Sequence, residues 1–226
     1  MGMGYGKRND RELEALWALE ISIAGIAAQF RGEHAFNYSH EIEIAAYLMV
    51  AIRETFGAAE PVGGLTVHLT RMEWRCLANR DIDLVLMHPD AAKKARAGWG
   101  TVRSKIAKTL PLLAAIQIKR GRGQVTPLNQ VRKDLRDLEK ISSSNSLGKP
   151  VLYFLAWIDS SLKEKPQQFS RYRSVRDELK AWCDQLPQSR RAFLLSRDRV
   201  GSAFPKGAWL VQPLPPGTVE DPRGTE

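Results

Sequence analysis

The stretch from Leu112 to Ile158, LLAAIQIKRGRGQVTPLNQVRKDLRDLEKISSSNSLGKPVLYFLAWI, decides the fold. Residues 112–119 are apolar on both faces, which a strand tolerates only in the middle of a covered sheet. Gly121 and Gly123 end that strand. Thr126-Pro127 then opens a helix over about 126–141, with Thr126 as its cap and Pro127 in its first turn. Leu128, Val131, Leu135 and Leu138 follow at spacings of three and four and form one buried face. After a loop from Ser142 to Gly148, residues 150–158 (PVLYFLAWI) are a second buried strand. Strand, helix and strand in this order make a right-handed parallel crossover, the signature of an α/β fold.

Toward the N-terminus, residues 11–30 read as a helix that turns Leu13, Leu16, Trp17, Ile23, Ala27 and Phe30 inward. A polar connection at 31–38 leads to a second helix over about 40–56, capped by Ser39 and ended by Gly57. Residues 58–64 are a Pro/Gly loop. Leu65, Val67 and Leu69 alternate with polar residues, giving a strand that runs on through Trp74 and Cys76. Ala78-Asn79-Arg80 turns the chain into Asp81–Met87 (DIDLVLM), so these segments form a β-hairpin. Toward the C-terminus come a helix over about 169–186 and strand-like runs at 192–195 and 209–211. The expected architecture is an α/β domain with a mixed sheet of about four core strands flanked by helices. Residues 1–10 form a flexible arm, 11–211 a single domain with its core at about 39–158 and a basic helical and β extension at 159–211, and 212–226 a disordered tail.

The 226 residues are 43% apolar and 26% charged, the balance of a folded globular chain. No stretch approaches 18 uncharged apolar residues, and the N-terminus lacks the apolar core of a signal peptide, so a cytoplasmic protein is expected. Two cysteines, Cys76 and Cys183, exclude a disulfide framework. His34, His40, His68 and His88 are scattered and give no zinc-ligand spacing. Of the net charge of +9, residues 1–90 carry −5 and residues 91–226 carry +14. A basic half of this size either meets the phosphates of a nucleic acid or is a solvated, solubilising surface.

Three places could carry chemistry. Asp83 sits inside the apolar strand Ile82-Asp83-Leu84-Val85-Leu86, where a carboxylate needs compensation. It is either an edge carboxylate paired with a lysine or a functional group. Gln117 and Lys119 share one face at the C-terminal end of the central strand. Facing Asp83, they form either a structural Asp–Lys pair with an amide partner or a cluster suited to a hard divalent cation. On the second helix, Glu43, Tyr47 and Glu54 fall on the outer face, whereas Glu41 falls with Ala45, Leu48 and Ile52 in the apolar stripe. Glu41 is either a carboxylate favoured by the helix dipole or part of a site. Phe169, Tyr172 and Trp182 amid Arg171, Arg173 and Arg176 are either core residues or a stacking surface for bases.

The order of these pieces resembles the PD-(D/E)XK nuclease superfamily. Ile82-Asp83-Leu84 matches its metal-binding Asp element, and Gln117-Ile118-Lys119, followed by Arg120, stands at its acid-x-Lys element. The Gln-x-Lys-Arg form is similar to the Mrr-type restriction endonuclease branch. The resemblance covers about residues 39–158. It implies a restriction-endonuclease-like fold and Mg²⁺- or Mn²⁺-dependent hydrolysis of DNA phosphodiester bonds. Asp83 and Gln117 would then hold the metal, Lys119 would position the water, and Glu41 would bind a second ion or steady the first. Lys93, Lys94, Arg96, Arg120, Arg122, Arg132 and Lys133 would bind the nucleic acid backbone. DNA is the expected partner, with RNA and a homodimer left open and no membrane expected. The rival readings are a non-catalytic nucleic-acid-binding protein on the same fold and a protein-interaction subunit.

Overall fold

The structure is a computed structural model and describes residues 10–29, 41–56, 59–62, 65–68, 70–77, 80–88, 110–121, 125–143, 148–158, 166–186 and 189–196. The elements in chain order are α1 (Asp10–Gln29), α2 (Glu41–Phe56), β1 (Ala59–Val62), β2 (Leu65–His68), β3 (Thr70–Leu77), β4 (Arg80–Met87), β5 (Leu112–Gly121), α3 (Leu128–Ser142), β6 (Val151–Ile158), α4 (Pro166–Gln185) and β7 (Arg190–Ser196). The fold is α/β. A five-stranded mixed sheet runs in the order β3-β4-β5-β6-β7, and β1 and β2 form a separate two-stranded sheet. Strands β3 to β5 are antiparallel neighbours, whereas β5, β6 and β7 are parallel. The apolar run at 112–116 is buried throughout, and β5 lies in the middle of the sheet.

Helices cover both faces of the sheet. On one, Ala15, Leu16, Leu19 and Ile23 of α1 and Ile44, Ala45, Leu48 and Ile52 of α2 pack on Leu84, Leu86, Ala114, Ile116, Ile118 and Tyr153. On the other, Val131, Leu135, Leu138 and Ile141 of α3 and Tyr172, Val175, Leu179 and Trp182 of α4 pack on Val85, Ala115, Leu152, Phe154 and Leu194. Each fully buried Leu or Ile contributes about 1.5–3 kcal/mol relative to exposure, so these two apolar layers dominate the stability. Arg190 fastens β7 to both outer helices. It donates to the Trp182 carbonyl (3.1 Å) and Gln185 Oε1 (2.7 Å) and meets Glu139 Oε1 at 3.0 Å.

The four expected core strands are β3 to β6, and the expected strand-like run at 192–195 joins the same sheet as β7, beside β6. Three other sequence expectations need correction. Residues 59–62 are a strand, not part of a loop, and pair with β2. The alternation from Leu65 through Cys76 is not one strand: β2 and β3 belong to different sheets. Thr126 does not cap α3. Pro127, with φ −58° and ψ 137°, is the capping residue and offers no side-chain hydrogen bond. Its carbonyl instead accepts from the Gln130 and Val131 amides.

The Thr126 hydroxyl is buried without a hydrogen bond among the described residues. Thr126→Val should therefore leave stability unchanged or raise it by up to about 1 kcal/mol, since an unsatisfied buried hydroxyl is removed. A true cap would lose about 1 kcal/mol. The urea midpoint of unfolding separates the two outcomes.

Tyr172 and Trp182 are core residues. Cys183 is buried, and that burial pushes its thiol up to about 11, leaving it inert as a nucleophile. Among the described residues no helix is long and apolar enough to cross a membrane. The segments 89–109 and 197–226, with the expected strand at 209–211 and the tail, lie outside the described residues, as do the arm at 1–9, Ser39 and Gly57.

Candidate active site

The backbone ladder between β4 and β5 runs from Met87–Leu112 to Leu84–Ile116. Where the next pairing would bring the Ile118 amide into the ladder, that amide donates to Asp83 Oδ2 instead, at 2.6 Å. The carboxylate thus takes the place of a main-chain acceptor where the two strands part. The same oxygen accepts from Gln117 Nε2 at 2.7 Å. These two bonds supply the compensation that a carboxylate in an apolar strand requires. They also account for glutamine at position 117. A carboxylate there would stand against Asp83 and disfavour its ionised form, whereas an amide donates to it. The Gln117 carbonyl makes no hydrogen bond with any described residue and remains an acceptor.

Lys119 lies two residues on, on the same face and half-buried. Its Nζ is 3.3 Å from Asp134 Oδ2 of α3 and 3.9 Å from Glu41 Oε2 of α2. Glu41 reaches around the end of β5 from the first turn of α2, and its Oε1 accepts the Arg120 amide at 2.9 Å. Burial works to lower the Lys119 pKa. The carboxylates of Asp134, Glu41 and Asp83 outweigh it and hold the pKa above the usual lysine value. Lys119 is therefore an ammonium at neutral pH, fit to neutralise developing negative charge rather than to act as a base. Asp134 Oδ2 is buried against the Lys119 ammonium. Burial pushes its carboxyl above the usual range, with Lys119 pulling the other way.

Asp83, Gln117, Lys119 and Glu41, from three separate elements, thus meet at the C-terminal end of β5. That is the end of parallel strands where open α/β sheets gather their ligands. Asp134 is the member that sequence reasoning missed. It lies beside the stripe Val131–Leu135–Leu138, and an acid next to a buried helical face was the available signal. Glu43, two residues along α2 from Glu41, is exposed. Of the expected backbone-binding residues, Arg120 is half-buried at the end of β5. Arg132 is exposed and paired with Glu178 at 2.8 Å, and Lys133 is exposed. Lys93, Lys94, Arg96 and Arg122 lie outside the described residues.

The donor set fits a hard divalent cation sparingly. Asp83, Glu41 and the Gln117 carbonyl are the right oxygen types, and Glu41, Asp83 and Asp134 against Lys119 sum to −2. Among the described residues, however, no three His, Cys, Asp or Glu side chains converge as a ready-made cage. Such a site suits Mg²⁺, which commonly takes one or two carboxylates and completes its shell with water and phosphate oxygens. Comparison of the chain with protein-family models, curated proteins and solved structures found no match.

Proposed function

We propose that the chain is a metal-dependent nuclease hydrolysing DNA phosphodiester bonds, built on a PD-(D/E)XK, restriction-endonuclease-like form of this α/β fold. The observation that carries the reading is the meeting of Asp83 with Gln117 through a 2.7 Å hydrogen bond, beside a charged Lys119 and the helix acid Glu41. These four residues, 42, 34 and 2 positions apart in sequence, converge on one strand end.

In this reading Asp83, Glu41 and the Gln117 carbonyl hold Mg²⁺ or Mn²⁺, which when bound polarises the phosphoryl group and lowers the pKa of a water. The protein does the rest. The Ile118 amide and the Gln117 Nε2 fix the Asp83 rotamer. Lys119 presents an ammonium to the phosphate oxygens. Asp134 keeps that ammonium charged and aimed, and Glu41 ties the end of β5 to α2.

The test is the metal dependence of cleavage. Asp83→Ala should raise the Mg²⁺ concentration needed for half-maximal cleavage by roughly tenfold or more, with partial rescue by excess Mg²⁺ or by Mn²⁺. An unchanged metal dependence would count against the assignment. One observation favours a second reading, a non-catalytic nucleic-acid-binding module. Asp83 Oδ2 already has two internal donors, and Lys119 already has two carboxylate neighbours, so the cluster is also self-sufficient as structure.

A further inference from the structure

The acids of helix α3 hold partners within the fold: Asp134 meets Lys119, Asp137 is buried beside Lys140 at 3.1 Å, and Glu139 meets Arg190 and accepts from Trp182 Nε1. Its cations face outward: Arg132, Lys133, Arg136 and Lys140 are all exposed. At 100° per residue these four fall within a sector of about 100°, a ridge about 12 Å long. Arg132 and Lys140 each hold an acidic partner, at 2.8 Å and 3.1 Å. Lys133 and Arg136, in the middle, make no ion pair with any described residue. They stand three residues apart, so their side chains are neighbours on the helix surface.

We infer that this outer ridge of α3 is a docking track for the phosphate backbone of duplex nucleic acid, contacted without regard to sequence. Charge complementarity selects a polyanion. Two features narrow the class. Residues 128–142 contain no aromatic side chain, and Tyr172 and Trp182 of the neighbouring α4 are buried, so the described part of this side offers no platform for stacking unpaired bases. The ridge also lacks Asn or Gln beyond its first turn, leaving point charges that position a backbone rather than read base edges. The placement rests on the nuclease reading in one respect. Asp134 of the same helix touches Lys119, so the ridge and the proposed cleavage site share one helix.

The test is a fluorescence-anisotropy titration of the full chain in EDTA, between about 50 and 200 mM KCl. The probes are two 20-base-pair duplexes of unrelated sequence and one single strand of equal length. The expected result is tighter binding to both duplexes than to the single strand. The slope of log K against log salt should fall by about 1.8 in magnitude in Lys133→Ala/Arg136→Ala, equally for both sequences. Arg173→Ala/Lys180→Ala on the exposed face of α4 should leave the slope unchanged. Both double variants alter exposed residues, and retained thermal melting confirms their folding. The inference is overturned by a slope unchanged in Lys133→Ala/Arg136→Ala, by stronger binding to the single strand, or by the absence of binding in the intact chain. Because EDTA prevents cleavage, these outcomes are independent of the nuclease reading, which fails separately if Mg²⁺ brings no cleavage.

Discussion

Lys119→Ala is expected to slow Mg²⁺-dependent cleavage by roughly 10²–10³-fold, the loss seen when one preorganised charge-stabilising group is removed from a site of this kind. Folding should persist. Lys119 lies near the C-terminal end of β5, and its side chain is 22% exposed. DNA affinity should change little, because other cations hold the backbone. Single-turnover rates at saturating DNA, with anisotropy binding measured in parallel, separate the two effects. The variant leaves Asp134 without its charge partner in a half-buried position, so a modest loss of stability accompanies the loss of rate. Equal loss of binding and rate would mean that Lys119 is a binding residue only.

The second large effect lies on the opposite face of the sheet. Glu20 of α1 is 9% exposed, accepts from the Tyr153 hydroxyl at 3.0 Å, and lies 3.8 Å from Arg191 Nε. Burial pushes its carboxyl up to about 7, and the Tyr153 bond and the Arg191 charge offset only part of that. The folded state therefore binds this proton more tightly than the unfolded chain. The resulting stabilisation is complete below the unfolded value of about 4.5 and is lost as pH rises through about 7. The full difference corresponds to about 3 kcal/mol. Glu20→Gln keeps an acceptor for Tyr153 but cannot ionise. Relative to wild type it should gain stability between pH 5 and pH 8 by an amount approaching that figure. Urea unfolding of both proteins at several pH values measures it, and parallel pH curves would contradict the assignment.

How much of this was legible in the sequence depended on whether a pattern is local. Strand β5 was readable because a short run apolar on both faces, closed by Gly121 and Gly123, suits a central strand, and β5-α3-β6 followed from it. Asp83, Gln117 and Lys119 were readable because period two fixes which residues share a face. Glu41 was readable because helical phase placed it in the apolar stripe. Asp134 was not, because its role depends on how α3 lies across the polar end of β5, and helical phase within α3 does not contain that angle. The break between β2 and β3 was hidden because alternation continues across Leu69 and does not record which sheet a residue joins. Strand β1 was hidden by Pro61, which argues against a strand but is tolerated in a two-stranded edge pairing. The Thr126 cap failed because Pro127 stays extended, so the helix begins one residue after it.

The claim that organises these observations is that the cluster of Asp83, Gln117, Lys119 and Glu41 cuts phosphodiester bonds with a bound divalent ion. Its most direct test is incubation of the purified full chain with supercoiled plasmid in Mg²⁺ and in EDTA, beside Asp83→Ala prepared identically. The account predicts that wild type converts plasmid to nicked and linear forms in Mg²⁺ but not in EDTA, and that Asp83→Ala does not do so at the same Mg²⁺ concentration. It is contradicted if folded wild type leaves plasmid, linear and branched DNA intact with both Mg²⁺ and Mn²⁺, or if Asp83→Ala cuts as fast as wild type.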